Sequence, residues 1–324
     1  MKIMKRGTFG LLAALTIAML GCEVTIVETV TTYDLSGSLV NIKDEGSSYK
    51  GGGDATLAGA QITFESVFSD TTYTTTVDSR GQYSIQNILP GRYRITGTQS
   101  GWTFVPMTYD VTSSSQSVAP DILAYPEEDP SNITIVMSWD NMNYDIDLVA
   151  TYGPANDINT RGTVDFENIS HTGSDGYNIT LDRDVRLSDS LSVPRVETIT
   201  VTSTADDYPN HTRDDEEVEQ LRFYAHAYAY GEPATGTDGD TEAADGGLTG
   251  ATDLDTEPAF VTMHAMLGND HFGTWYAPIE TLERTIHFIN VDLWMDSTAK
   301  SGDRKQATIF SAGNYGNGVF RSAF

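Results

Sequence analysis

The sequence predicts an all-β protein, two antiparallel β-sandwiches in series behind an export signal. Three observations lead there. Short runs alternating apolar and polar residues are separated by turn signals roughly every 8 to 15 residues. Helical patterning is confined to one short candidate, Arg213 to Phe223, where Asp214 to Glu217 suit a helix N-terminus. A length of 324 residues, with 39% hydrophobic and 10% aromatic side chains, is long for one core and rich enough for two. The 46 acidic against 19 basic side chains give a net charge of −27. That balance lacks the basic face that phosphate binding needs, so nucleic acid is excluded as a partner class.

The N-terminus carries its own signal. Lys2, Lys5 and Arg6 precede a mostly apolar run from Thr8 to Leu20, about 13 residues, which is too short to span a bilayer and fits a secretory signal. Ala18-Met19-Leu20-Gly21-Cys22 resembles the lipobox of bacterial lipoprotein signals, with Met19 where that motif prefers Leu. The resemblance implies a signal peptide over residues 1–21, lipidation of Cys22, and a tether over residues 22–32. Cys22 is the only cysteine, so no disulfide partner competes for it. Several acyl chains at about 0.8 kcal/mol per buried CH₂ make such an anchor effectively permanent. The expected location is the bacterial cell envelope, membrane-attached through lipid. Glu23 rather than Asp after the cysteine favours the outer membrane.

The first sandwich is placed at residues 33–125. In Thr76 to Ile85, Val77, Tyr83 and Ile85 suit a core, and Asp78 to Gly81 supply a hairpin turn. In Leu89-Pro90-Gly91-Arg92-Tyr93-Arg94-Ile95, Pro90 and Gly91 form a turn that delivers Tyr93 and Ile95 into the next strand. Asp44 to Asp54, with Gly51 to Gly53, reads as an inserted loop. Ser36 to Val40, Gly59 to Phe64, the Asp78 to Tyr83 turn, Leu89 to Tyr93 and Gly101-Trp102 follow an order that resembles carboxypeptidase regulatory-like domains. That resemblance implies a transthyretin-like sandwich, non-catalytic, serving as a spacer or interaction module.

Pro126 to Pro130 forms a short charged linker, and residues 131–324 form the second sandwich. Ile133, Ile135, Met137 and Trp139 alternate with Thr134, Val136 and Ser138. Ile146 and Leu148 oppose Asp145 and Asp147 on the next strand. Leu221 to Ala229 alternate with Arg222 to Tyr230, and His287, Ile289, Val291, Leu293 and Met295 repeat that period. Residues 231–258 are Gly, Thr, Ala, Asp and Glu with almost no large apolar side chain, and read as a flexible acidic insertion. Trp139-Asp140, Asp145 to Leu148, Gly162 to Asp165 and Gly176 to Leu181 resemble an uncharacterised β-sandwich family found beside von Willebrand A domains. The resemblance implies the fold and leaves the function open.

The sharpest chemical candidate is a calcium site built from Asp140, Asp145, Asp147 and Asp165. Ca²⁺ takes six to eight oxygen ligands, and carboxylates this close repel without a cation. The alternative is solvated charge in an acid-rich chain. Asp238, Asp240, Glu242 and Asp245 lack the glycine and closing glutamate of an EF-hand loop. The six histidines show no zinc spacing, and His226, His264, His271 and His287 read as sheet-face residues. No nucleophile elbow, phosphate loop or dinucleotide fingerprint occurs. Tyr224, His226, Tyr228 and Tyr230 share the polar face of one strand, where exposed rings stack on sugars or partner chains, or simply pack across strands.

These observations favour a non-enzymatic, membrane-anchored envelope lipoprotein acting as an adhesion or scaffold module, stiffened by Ca²⁺, with a protein or polysaccharide partner. A glycan-binding accessory lipoprotein is the alternative reading. A metal- or carboxylate-dependent hydrolase is the third.

Overall fold

The computed structural model describes residues 31–43, 53–112, 119–154, 161–172, 177–186, 195–203, 219–230, 258–280, 284–295, 305–312 and 321–323. The signal segment, Cys22, residues 23–30 of the tether, most of the Asp44 to Asp54 loop and the acidic insertion up to residue 257 lie outside them. Residues Tyr33–Phe324 form one compact unit. Apart from one 3₁₀ turn (Ala55–Leu57), every regular element described is a strand. No described helix is long and apolar enough to cross a membrane.

Eight strands make the first sandwich: β1 (Tyr33–Asn41), β2 (Gln61–Ser66), β3 (Thr72–Thr76), β4 (Gln82–Ile88), β5 (Gly91–Thr98), β6 (Trp102–Phe104), β7 (Met107–Val111) and β8 (Ile122–Pro126). They form two four-stranded sheets, in the orders β4-β1-β8-β6 and β3-β2-β5-β7. Leu39, Phe64, Tyr83, Tyr93 and Ile95 fill the space between them, the last three on the predicted phase. The Asp78 turn differs from the expected hairpin. Asp78 Oδ1 accepts from Arg80 N and Gln82 N at 2.8 and 2.9 Å, which closes the turn. Beyond it, Val77 N bonds Ala60 O while Leu39 N bonds Gly81 O, so β3 and β4 part into opposite sheets.

The second sandwich contains β9 (Ile133–Trp139), β10 (Tyr144–Pro154), β11 (Gly162–Val164), β12 (Ser170–Thr172), β13 (Tyr177–Arg183), β14 (Val196–Ser203), β15 (Glu219–Tyr230), β16 (Ala259–Leu267), β17 (Asp270–Ile279), β18 (Thr285–Met295), β19 (Lys305–Ser311) and β20 (Arg321–Ala323). Its two six-stranded sheets run β11-β10-β15-β18-β19-β20 and β12-β13-β14-β9-β16-β17. The core between them is aliphatic with Trp139, Tyr144, Tyr177, Phe223, Trp275 and Phe288. Where a short helix was expected at Arg213 to Phe223, residues from Glu219 onward extend as β15. Phe223 and Leu221 are buried on one face of that strand, and pairing on both sides outweighs the local preference.

Two register irregularities overturn simple alternation. The β10 pairing steps from Ala229 opposite Asp145 to Ala227 opposite Ile146, so Tyr228 is the extra residue. The phase of β15 flips there, and Tyr230 packs back against the core beside Tyr144. A second step between Phe223 and Tyr224 leaves Phe288 extra on β18, which turns His287 away from the core while Ile286 and Phe288 enter it.

The two sandwiches share a third apolar cluster: Val40, Ile42, Val105, Leu123, Tyr125, Val136, Val196 and Met266, all buried. It explains why β9 is buried on both faces, Thr134 and Val136 as fully as Ile133 and Ile135. Hydrogen bonds join the same surfaces. Tyr125 Oη donates to Gly268 O at 2.9 Å, and Thr198 Oγ1 donates to Ile42 O at 3.3 Å. Asn269 bonds both Thr103 and Glu127.

Candidate metal centre

β10 is paired with β15 along its whole length, but β11 covers only Ala150 to Tyr152 on the other side. Among the described residues no strand pairs with Asp145 to Val149 on that side, and a buried N–H there needs an acceptor. Glu197 of β14, on the opposite sheet, supplies it: Leu148 N donates to Glu197 Oε2 at 2.6 Å. Val185 N, in the segment after β13, donates to Glu197 Oε1 at 3.1 Å. One glutamate thus ties together two sheets and a connecting segment.

That arrangement brings Asp147, Asp184 and Glu197 together, one oxygen from each lying within 4.8 Å of the others. Asp147 is 6% exposed and Glu197 1%. Buried Asp147 Oδ2 has no hydrogen-bond partner among the described residues. Asp184 is in contact with Arg186, whose Nε donates to Asp184 Oδ2 at 3.0 Å. The electrostatics follow from the crowding. Burial, reinforced by the charges of Asp145, Asp184 and Asp165 and opposed by Arg186, pushes the Asp147 carboxyl up to about 7. Burial and then the Asp147 charge raise Glu197 well above the usual carboxylate range, against the two backbone bonds it accepts.

The donor set is all oxygen, which suits a hard cation rather than zinc. Two ligands on opposite sides of a Ca²⁺ ion, each about 2.3–2.6 Å away, lie at most about 5 Å apart. A spread of 4.8 Å fits within that limit. An ion there would satisfy Asp147 Oδ2 and cancel the repulsion that raises both carboxyls.

The four aspartates singled out in the sequence separate. Asp147 belongs to the centre. Asp145 is buried and acts on Asp147 through its charge, as does Asp165. Asp165 Oδ1 is engaged in its own turn, accepting from Glu167 N and Asn168 N at 3.0 and 2.9 Å. Asp140 is exposed and accepts from Phe260 N at 2.8 Å, joining the β9–β10 turn to β16. Asp184 and Glu197 were not among the sequence candidates. Glu197 shares its strand parity with core residues Ile199 and Val201, and an acid in an inward phase is the signal that marks it.

The tyrosine row does not form an open platform. Tyr224 stacks on His287 at 4.5 Å, Tyr230 meets Tyr144 edge-on, and His226 Nδ1 lies 2.8 Å from Thr285 Oγ1. Tyr228 alone of the four is more than half exposed, and it rests against Phe166.

Residues 44–123 match the family model described as BOS complex subunit NOMO1-like, second beta sandwich domain. No curated protein matches the chain. Among solved structures, the chain is similar to fervidolysin from Fervidobacterium pennivorans, a keratinolytic enzyme related to subtilisin, at 9% identity over 81% of this chain, with a TM-score of 0.22. It spans 31% of that protein's length. It is also similar to BcpA, the major pilin subunit of Bacillus cereus, at 10% identity over 91% of this chain and 93% of that one, TM-score 0.24. The major pilin SpaD of Corynebacterium diphtheriae follows at 8% identity, 88% and 79% coverage and TM-score 0.23. Likenesses this weak leave the architecture to rest on the strand order itself, and the NOMO1-like beta-sandwich match covers residues 44–123 alone.

Proposed function

We propose that this chain is a non-enzymatic, lipid-anchored module of a bacterial cell envelope, an adhesion or scaffold element whose second sandwich is stiffened by Ca²⁺. The observation that carries the cation is the buried Asp147, whose Oδ2 has no hydrogen-bond partner among the described residues, brought together with Asp184 and Glu197. An ion at that point holds β10, β14 and the segment after β13 as one body, as a load-carrying module requires. The lipobox-like Leu20-Gly21-Cys22 supports attachment through lipid. The shared apolar cluster supports a rigid rather than a hinged pair of sandwiches.

The test is thermal unfolding of the full chain in mild detergent, first with chelator and then with rising Ca²⁺, using Mg²⁺ as control. A ligand that binds only the folded protein at 100 times its Kd adds about 2.7 kcal/mol, a rise of several degrees. The expected result is a Ca²⁺-specific rise that Asp147→Asn abolishes. An unchanged melting temperature at millimolar Ca²⁺ overturns the reading.

A further inference from the structure

A cleft of about 550 Å³ opens between the two sandwiches, where edge strands β7 and β17 face each other. Its volume lies in the range of small-molecule sites, about 300–1,000 Å³. Val105, Met107 and Leu123 line an apolar side. Across from them runs a polar relay. Thr274 Oγ1 lies 3.0 Å from His264 Nδ1 and 2.9 Å from His271 Nε2. His264 is buried, and burial followed by the charge of His271 holds it far below the ordinary imidazole range, at about 3, so it is neutral. At the rim stand Arg94 and Tyr276, the latter 57% exposed.

Arg94 is the unusual residue. The chain has far more acids than bases, and neighbouring Arg92 is held by Asp110 through two bonds of 2.8 and 2.7 Å. Arg94, two residues on along β5, has no ion-pair or hydrogen-bond partner among the described residues. Glu65 lies opposite it on β2 and makes no ion pair with it. A guanidinium offers a planar fork matched to carboxylate. Tyr276 offers a ring face for the C–H side of a sugar, and Thr108, Thr262 and Thr274 line the same cleft. The net charge of −27 is screened beyond about 8 Å at physiological ionic strength, so the local cation governs the cleft.

We propose that the cleft between the sandwiches binds an acidic saccharide, a uronic acid residue whose carboxylate pairs with Arg94 and whose ring rests on Tyr276. His271 and the Thr274 hydroxyl line the same cleft and face the sugar hydroxyls. The site is separate from the metal centre and stands whether or not that centre binds Ca²⁺.

The experiment is calorimetric titration of the full chain in detergent with trigalacturonate, a neutral galactose trisaccharide, galacturonic acid monomer and inorganic phosphate. Chelator is present throughout, below the unfolding temperature, so that a bridging cation cannot imitate the contact. Trigalacturonate is expected to bind at least tenfold more tightly than the neutral sugar. Arg94→Gln should reduce it to the neutral level, and Tyr276→Ala should weaken both sugars while the melting temperatures of both variants stay within a few degrees of the parent. Monomer binding with the same Arg94 dependence places a single sugar unit in the cleft, and tighter binding of the trimer extends the site along a polysaccharide; both support the proposal. Phosphate binding equal to uronate and indifferent to Tyr276→Ala overturns the saccharide assignment. Uronate affinity unchanged by Arg94→Gln, or no uronate binding, overturns the site.

Discussion

Asp147 is where the chemistry of one side chain sets a property of the whole protein. Its folded carboxyl titrates near 7 because burial and neighbouring acids disfavour the anion, whereas an unfolded aspartate titrates near 3.8. The folded state therefore binds a proton that the unfolded state has released across the interval between those values. Stability of the cation-free protein should fall as pH rises through that window and level off above it, the reverse of a salt-bridged aspartate. At about 1.4 kcal/mol per pH unit the full interval amounts to roughly 4 kcal/mol as an upper limit. Melting temperatures in chelator are expected to be higher at pH 5 than at pH 8, with Asp147→Asn narrowing the gap and Ca²⁺ abolishing it. A chelated protein more stable at pH 8, with Asp147→Asn making no difference, would sink this account. The sequence displayed Asp145 and Asp147 by their spacing, but Glu197 only by its parity with Ile199 and Val201, which a strand buried on both faces makes hard to read. Its neighbours Val196 and Thr198 are buried against the first sandwich, Thr200 is buried with its hydroxyl bonded to Asp182, and Ile199 and Val201 are buried in the second core, so neither phase of that strand looks solvent-facing.

Strands were legible wherever one face meets water, and obscured wherever pairing alone decides the phase. Tyr83, Ile85, Tyr93 and Ile95 fall on their predicted side because the outer faces of β4 and β5 are exposed. The extra residues Tyr228 and Phe288 are set by partners distant in sequence, and no local pattern announces them. The Asp78 turn was visible, but the parting of β3 and β4 into separate sheets depends on Gly81 lying against Gly53 and Asp54, just before the 3₁₀ turn. Gly81 has φ +75°, and a Cβ there would stand 2.4 Å from Asp54 N and O. Gly59 also has positive φ, +89°, but open space around it. Gly81→Ala should cost about 1–3 kcal/mol or more from strain and backbone displacement together, and Gly59→Ala about 1 kcal/mol from strain alone. Urea unfolding of the two variants measures the difference. Equal midpoints would mean that the Gly53–Gly81 approach does not constrain the sheet corner.

At the scale of the whole molecule, the linker proves to be part of an interface. Glu127 and Glu128 bond residues on either side of it: Asn269 is held by Glu127, while Glu128 takes both Lys43 and Asn132. Two cores could be inferred from two stretches of alternation, but the third cluster could not. Its members come from β1, β8, β9, β14 and β16, with Ile42 just after β1 and Val105 between β6 and β7, and those on strands read locally as outward positions. Tyr125 is its centre, fully buried, with its hydroxyl bonded to Gly268 O and Lys43 Nζ 5.4 Å above its ring. Removing that ring should cost about 3–5 kcal/mol if the cavity does not collapse. More tellingly, it should separate two bodies that otherwise melt together. Calorimetry of the parent is expected to show one transition over the described sandwiches, and Tyr125→Ala two, of which only that of the second sandwich rises with Ca²⁺. If Tyr125→Ala merely lowers a single transition, with calorimetric and van't Hoff enthalpies still equal, the sandwiches are coupled through the polar contacts of Asn269 and Thr198 instead. If the parent already melts in two steps, the cluster packs the domains without joining their stability, and a cation in the second sandwich would stiffen that sandwich alone.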